Sequence, residues 1–481
     1  YGTVVAMAAP AEEVGVQGDS PVEEALSVWL VFRDLVSTSE PEPDQAATVA
    51  EEKSAPCVAL SGDGQVRCQR PGSAAPPKTF GPFASAKAAE PTSMSSFFAD
   101  LVKPKLQQAL TRGAPLALYT FGPPQGGKTS MLWGSPGGPL PPGEAGIPLL
   151  CSELFPALED VKAPEDEVLV TMSFLRVSTV AEMLNDCLIP DVPASGRGLR
   201  LREGEDGLFY VEGLTRRVVA TAADLTAAAL DGLDQAEKID AGEQEFQRGS
   251  RSHKLLSLSV LRRNLVTGDV TTSSIHLLDT AGVERPATAT SAASKPFGGK
   301  TTAQRAAELR SKKEGKAKED ATVKALLRVH DALSAGSRHI PYRDSKLTRL
   351  LKPSLGSGEG LGILLACLSA STHTETEALL SFLHCAARTP ASSPLRCGTV
   401  NPLREIEARV PRAAALAEQF LGTAPNSMAG LRPADVECTM DSPAELVELR
   451  GLLAEMERLR VDPWEKIHGE WREARAKHGL S

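Results

Sequence analysis

The stretch LALYTFGPPQGGKTSML, Leu116 to Leu132, decides how the rest of the chain is read. LALYTF is a short, mostly apolar run of the kind that forms a strand buried on both faces. The segment that follows, GPPQGGKT from Gly122 to Thr129, fits the pattern G-x-x-x-x-G-K-[ST]. Set between a strand and a helix, such a loop wraps backbone N–H groups around phosphates. Lys128 places a point charge on the β/γ oxygens, and Thr129 offers a hydroxyl to Mg2+. KTSML opens the helix whose positive N-terminal end the loop requires. The candidate nucleotide contacts are Gly122, Pro123, Pro124, Gln125, Gly126, Gly127, Lys128, Thr129 and Ser130. Pro123 and Pro124 each remove an N–H donor, and a Gly/Pro surface turn is the competing reading of this segment taken alone.

Downstream, DTAGVER (Asp279 to Arg285) follows the apolar run SIHLLD. A carboxylate at a strand end can hold Mg2+ through water, and Gly282 can offer its N–H to a terminal phosphate because no side chain blocks approach. GSRSH, Gly249 to His253, precedes another apolar run. Periodicity predicts strands at 168–177, 255–263, 273–279 and 362–369, and helices at 93–112 (interrupted at Pro104), 221–238 and 321–334. Alternating helices and two-sided apolar strands indicate a layered α/β fold with helices on both sheet faces. Residues 38–80, rich in Ser, Pro, Glu and Ala, read as a surface insertion around the hairpin CVALSGDGQVRCQ. Beyond residue 392 the texture turns helical, and Leu449, Leu452, Met456 and Leu459 keep an a/d spacing. That stripe fits either a short neck helix or a helix packed back on the body.

The 481 residues carry a net charge of −9, so any acidic partner must meet a local basic patch. Lys300, Arg305, Arg310, Lys312, Lys313 and Lys316 form one basic stretch, and Arg343, Lys346 and Arg349 follow at helical spacing in RDSKLTR. Aromatic platforms for nucleic acid are missing. The eight cysteines are scattered with no C-x-x-C pair, which points to buried free thiols rather than a zinc or redox motif. No apolar run approaches the roughly 20 residues of a membrane span. The N-terminus lacks the basic start and apolar core of a signal peptide, and the expectation is a soluble cytoplasmic protein.

The ordered set of GPPQGGKT, SRSH, DTAGVER and HIPYRDSKLTRLLKPSLGSG (His339 to Gly358) resembles the signature set of kinesin motors. GIPLL at 146–150 and SFLHCAART at 381–389 are similar to further landmarks of that family. The resemblance implies a P-loop NTPase of kinesin type, with a central mixed β-sheet flanked by helices and a short C-terminal helical extension. A motor domain would cover 1–392, with the insertion at about 38–80, and a neck or helical extension 393–481. ATP and Mg2+ are the implied cofactors, microtubules the implied partner, and self-association through the C-terminal helices an open possibility. The base-reading motif N-K-x-D of GTP-binding proteins is missing.

By the same resemblance Ser250 joins Thr129 as a direct Mg2+ ligand, and Asp279 holds a metal-bound water. Arg251 and Glu284 form an ion pair that positions the attacking water, and Gly282 senses the γ-phosphate. Lys312, Lys313, Arg343, Lys346 and Arg349 meet tubulin. The family's usual residues are altered in places. Ala6 to Pro10 stands where an R-x-R-P is expected, Phe246 replaces an Asn, and Gly249 replaces a Ser that helps place the lytic water. The expectation is an ATP-dependent microtubule motor with slowed hydrolysis, located on the cytoplasmic cytoskeleton. The alternative is a catalytically weak microtubule tether or regulator.

Overall fold

The structure is a computed structural model that describes residues 26–32, 56–61, 64–88, 92–123, 126–134, 145–179, 182–189, 198–204, 207–242, 252–282, 321–355, 360–370, 372–389, 399–400, 402–422, 432–439 and 442–460. Its first strand, β1 (Leu26–Phe32), is buried along its whole length. Sequence patterning did not anticipate it. The expected hairpin is present as β2 (Val58–Leu60) and β3 (Val66–Cys68), and β4 (Lys78–Phe80) extends it to a three-stranded sheet. This part of the expected surface insertion is not merely surface: Cys57, Val58, Val66, Cys68 and Phe80 join the same core as β1.

Strand β5 (Ser85–Ala88) leads to a helical rod of α1 (Thr92–Phe97), a π-helical turn (Phe98–Val102) and α2 (Lys103–Arg112). Pro104 lies in the first turn of α2, where a missing N–H costs little, and the π turn absorbs the interruption. Next come β6 (Leu116–Phe121), α3 (Lys128–Trp133) and α4 (Gly146–Val161). The middle of the chain forms β7 (Asp166–Ser178), β8 (Leu184–Asp186), β9 (Arg200–Glu203), β10 (Phe209–Glu212) and β11 (Arg217–Val218). Helix α5 (Ala222–Gly242) and strands β12 (Ser252–Asn264) and β13 (Val270–Asp279) follow. The remaining elements are α6 (Ala321–Ser334), α7 (Lys346–Leu350), β14 (Leu361–Leu368), α8 (His373–Ala387), β15 (Thr399–Val400), α9 (Pro402–Leu421) and α10 (Ala444–Arg460).

Ten strands make one mixed sheet in the order β11-β7-β12-β13-β6-β14-β1-β5, with β8 added to β7 and β15 to β13. The strands from β13 through β6, β14 and β1 to β5 run parallel, whereas β12, β7 and β11 are antiparallel. The expected mixed sheet with helices on both faces is therefore observed. Helices α1 to α5 cover one face, burying Phe97, Leu106, Leu132, Leu154 and Leu225 against the strands. Helices α6, α7 and α8 cover the other through Leu326, Val329, Leu347, Leu380 and Leu383. Parallel strands buried on both sides need this double covering, which is why β14 is apolar throughout.

The C-terminal helices have a small core of their own. Leu449, Leu453 and Met456 of α10 pack with Ala413, Leu416 and Ala417 of α9. Leu449 and Met456 of the expected stripe are thus engaged within the chain, Leu452 is partly buried beside them, and the Leu459 side chain lies outside the described residues. The cysteines also depart from a uniform buried set: Cys57, Cys68, Cys151, Cys187 and Cys367 are buried, but Cys385 is exposed and Cys438 partly so.

Candidate nucleotide and polymer sites

Strands β6 and β13 are parallel neighbours, so Thr120 and Asp279 emerge at the same sheet edge. Their ends are tied together. Thr280 N–H donates to Thr120 Oγ1 at 3.0 Å, and Thr280 Oγ1 to the Thr120 carbonyl at 2.8 Å. The loop leaving β6 then turns sharply at Gly122, whose φ is +145°. A Cβ there would lie 2.1 Å from the Cys367 carbonyl of β14, so only glycine fits this close approach. Gly126 is similarly confined, with a Cβ 2.9 Å from the Pro123 carbonyl. Gly127 precedes α3 in a left-handed conformation.

Lys128 is buried, 5 % exposed, and donates to the carbonyls of Pro123 at 2.7 Å and Gly122 at 3.1 Å. Burial lowers its pKa, against the opposing pull of Cys367 and Asp279. Thr129 Oγ1 donates to Asp279 Oδ2 at 2.8 Å. The Asp279 carboxyl is pushed up by burial, while Lys254, Thr129, Lys128 and Thr120 favour its ionised form. Lys254 is the cross-strand partner of Asp279 and is itself buried.

The phosphate loop and the DTAGVER segment, 150 residues apart from Thr129 to Asp279, thus meet as one polar pair. The residues present fit a phosphate–Mg2+ group. Glycines keep the loop close to the sheet edge, an ammonium sits inside it, and a hydroxyl touches a carboxylate rich in nearby positive charge.

The SRSH segment is anchored beside this pair. Ala281 N–H donates to His253 Nδ1 at 3.1 Å, which leaves the ring proton on Nε2. On its other side, Ser252 Oγ donates to Asp240 Oδ2 at 2.8 Å, and Arg176 Nε donates to Asp240 Oδ1 at 2.7 Å. Arg176 is fully buried in β7 and also reaches Asn185 Oδ1 at 3.0 Å. The end of α5 and the start of β12, which flank residues 243–251, are therefore joined through the Asp240 carboxylate, which the buried Arg176 holds in turn.

Gly122, Pro123, Gly126, Gly127, Lys128, Thr129, Ser130, Asp279 and Gly282 are the described members of the predicted site. Pro124, Gln125, Ser250, Arg251, Glu284, Lys312 and Lys313 lie outside the described residues, as do Ala6 to Pro10, Phe246 and Gly249. Sequence reasoning missed Lys254, Arg176 and Asp240. A charged residue inside an otherwise apolar strand run, as in VLVTMSFLRV, was the available signal for Arg176.

The described members of the predicted polymer-side cations, Arg343, Lys346 and Arg349, lie at or just before α7, near β9 and β10. They do not share one helix: Arg343 lies in a 3-10 turn, and α7 starts only after Ser345, whose side chain caps it by accepting from Leu347 N–H. Arg343 pairs with Glu203 of β9 at 3.0 Å. Arg349 lies over the Phe209 ring of β10 and donates to the Arg343 carbonyl. Lys346 is turned inward, donating its ammonium to the Glu182 carbonyl at 2.9 Å. Glu182, at the unusual φ of +48°, accepts from Thr322 Oγ1 and from Lys346 N–H, so its carboxylate bridges the starts of α6 and α7.

Residues 51–389 match the kinesin motor domain family. The kinesin-like protein KIN-7C, mitochondrial, of Arabidopsis thaliana is 30 % identical over 293 residues, which are 59 % of this chain and 29 % of that protein. Human kinesin-like protein KIFC2 is 31 % identical over 283 residues, 56 % of this chain and 31 % of that protein. The chain therefore spans less than a third of the length of these relatives. A solved structure of a fast kinesin superposes with a TM-score of 0.58 at 24 % identity, covering 79 % of this chain and 94 % of that one. The matched span takes in the phosphate loop, the paired Thr129 and Asp279, and the α7 region that follows them, and on that ground the chain belongs to the kinesin motor domain family.

Proposed function

We propose that the chain is an ATP-dependent microtubule motor domain in which the phosphate loop and the segments after α5 and β13 work as one nucleotide sensor. The observation that carries this reading is the Thr129–Asp279 hydrogen bond of 2.8 Å beside the buried Lys128. Thr129 and Ser250 would hold Mg2+ directly, and Asp279 would hold it through a water. When bound, the metal supplies positive charge at the phosphate being cleaved. Lys128 exchanges its loop carbonyls for phosphate oxygens, while the Gly126 N–H, which donates to the Pro123 carbonyl at 3.1 Å, keeps the loop closed around them. Arg251 and Glu284 position water, and Gly282 offers its N–H to the terminal phosphate. Positioning and charge stabilisation give the rate, with no covalent step on the protein.

The His253–Ala281 hydrogen bond supports coupling between the two switch segments, because neither can shift its anchor without the other. The Glu182 bridge supports transmission to the polymer side, since it joins the segment just before β8 to the starts of α6 and α7. Lys312, Lys313, Arg343, Lys346 and Arg349 form the tubulin-facing group, with Lys346 acting largely by holding α7 to Glu182. A basic patch on an acidic chain steers an acidic polymer and makes binding salt-sensitive. Placement on cytoplasmic microtubules follows from that partner. No helix among the described residues is long and apolar enough to cross a membrane.

A second reading, a weakly catalytic tether, is favoured by the Pro123–Pro124 pair and by Gly249, which remove an amide donor each and a hydroxyl. Steady-state ATPase measured with and without microtubules separates the two. Stimulated turnover is expected for the motor. Microtubule binding with no stimulation leaves the tether, and neither activity removes both.

A further inference from the structure

A cavity of about 510 Å3 lies on the α6–α8 side of the sheet, away from that covering, beneath the β9–β10 hairpin. Its floor is a polar row running across the centre of the sheet. Ser173 of β7, Ser257 of β12 and His276 of β13 are cross-strand partners in register, with Ser274 next to them. These side chains keep partial exposure although they sit in central strands whose neighbours Leu175, Leu255 and Leu278 are buried. The same face thus changes from apolar core to polar floor within one step along the strands.

The roof is apolar: Phe209 and Val211 of the hairpin, and Leu214 just after it, line the cavity, and Leu350 of α7 closes one side. Ser257 Oγ and His276 Nδ1 share a hydrogen bond of 2.9 Å. The second nitrogen of His276 and the hydroxyls of Ser173 and Ser274 have no hydrogen bond among the described residues. Burial lowers the His276 pKa to about 4, so the ring is neutral at physiological pH. The lining has no carboxylate, and its one charged member, Arg216, is an exposed residue at the rim.

Nothing in the nucleotide chemistry uses these groups. A site of this size, mostly apolar with a few convergent polar atoms, has the make-up of a small-molecule pocket. We propose that the cavity binds a small uncharged aromatic ligand whose apolar body packs under Phe209, Val211 and Leu214 and whose hydroxyl or amide group bonds to the Ser173–Ser257–His276 row. An ammonium has no counter-charge inside, and an anion would have to give up its water for neutral hydroxyls.

The test is a fluorescence titration of the full chain with 2-naphthol, without nucleotide or microtubules, so its outcome is independent of the motor reading. Saturable one-to-one binding is expected. Ser257→Leu fills the cavity from the floor and Leu214→Trp from the roof, and each is expected to abolish that binding while circular dichroism stays native. His276→Phe keeps the ring but removes its nitrogens, with an expected loss of about tenfold in affinity, the worth of one hydrogen bond. Absence of saturable binding to the unaltered chain overturns the proposal, as does wild-type affinity in either filling variant that folds. If Ser257→Leu fails to fold, Leu214→Trp near the exposed hairpin decides alone. Unchanged affinity in His276→Phe overturns the assignment of the polar row.

Discussion

At the phosphate-loop edge, Lys128 is 5 % exposed and bonded to two backbone carbonyls, whereas at the hairpin edge the Arg343 side chain is 75 % exposed and pairs with Glu203. Both are cations at 3.0 Å or so from an oxygen, yet their surroundings give the contacts different weight. A charge removed from water depends on its few protein partners, and losing one leaves an uncompensated group. An exposed pair exchanges its partner for water and salt at little cost. The interior cluster of Arg176, Asp240 and Ser252 belongs with Lys128, and the exposed Arg202–Glu212 pair of the hairpin belongs with Arg343. The phosphate-loop edge is thus held by buried partners, and the hairpin edge by exposed ones that water and salt can replace.

The strongest way to break this contrast is at Asp240. Asp240→Ala leaves the fully buried Arg176 without its carboxylate and is expected to destabilise the fold by about 3–5 kcal/mol. A urea midpoint unchanged from wild type would show that Arg176 is compensated elsewhere. The paired change Arg176→Met with Asp240→Leu is expected to recover much of that loss, because it removes both charges.

Lys128→Ala comes next, with nucleotide affinity expected to fall on the order of a thousandfold, as for truncating a buried hydrogen-bonded charge. Titration with a fluorescent ATP analogue reads this directly. Wild-type affinity in the variant would sink the phosphate-loop assignment and, with it, the contrast itself.

The buried histidine between α6 and β6 gives a pH-dependent version of the same argument. His330 of α6 hydrogen-bonds Tyr119 of β6 at 2.6 Å, and burial lowers its pKa from 6.5 to about 4. The unfolded chain takes up the proton first as pH falls, so stability is lost from about pH 6.5 down to about pH 4 and levels off below. The difference amounts to about 3 kcal/mol for this one group. In His330→Gln the wild-type slope of unfolding free energy against pH should flatten over that window. An identical slope in both proteins would mean that His330 is protonated in the fold.

The smallest effects are expected on the exposed side. Arg343→Glu should alter fold stability by under about 1 kcal/mol, while microtubule affinity drops several-fold at low salt and the difference shrinks as ionic strength rises. Co-sedimentation at two salt concentrations checks it. A loss independent of salt would place Arg343 in a desolvated contact and blur the distinction between the two sides.

The parts of the site legible in the sequence are those whose residue types are imposed by local backbone geometry. Gly122 and Gly126 must be glycine because a carbonyl passes where a Cβ would be, and Lys128 and Thr129 follow them at fixed spacing. Asp279 was legible because it ends an apolar strand. Arg176 was not, because its partner Asp240 is 64 residues away and reaches it only through the docking of α5 beside β7. Lys254 likewise gained meaning from the register that sets it opposite Asp279. RDSKLTR looked like one basic helical face, but the Ser345 cap starts the helix after Arg343, and Lys346 turns inward to Glu182.

By itself, then, the sequence determined the phosphate loop, the order of the switch segments, the alternating α/β pattern and the family, since each is written in short-range spacing and residue type. Packing between distant segments is what buries Leu449 and Met456 against α9 and makes part of the Pro-rich insertion core. It alone placed a serine–histidine row on the floor of a cavity beneath the β9–β10 hairpin rather than under a helix. Each of these depends on which distant segments exclude water from which side chains, and the burial of a side chain is set by what packs over it rather than by its neighbours along the chain.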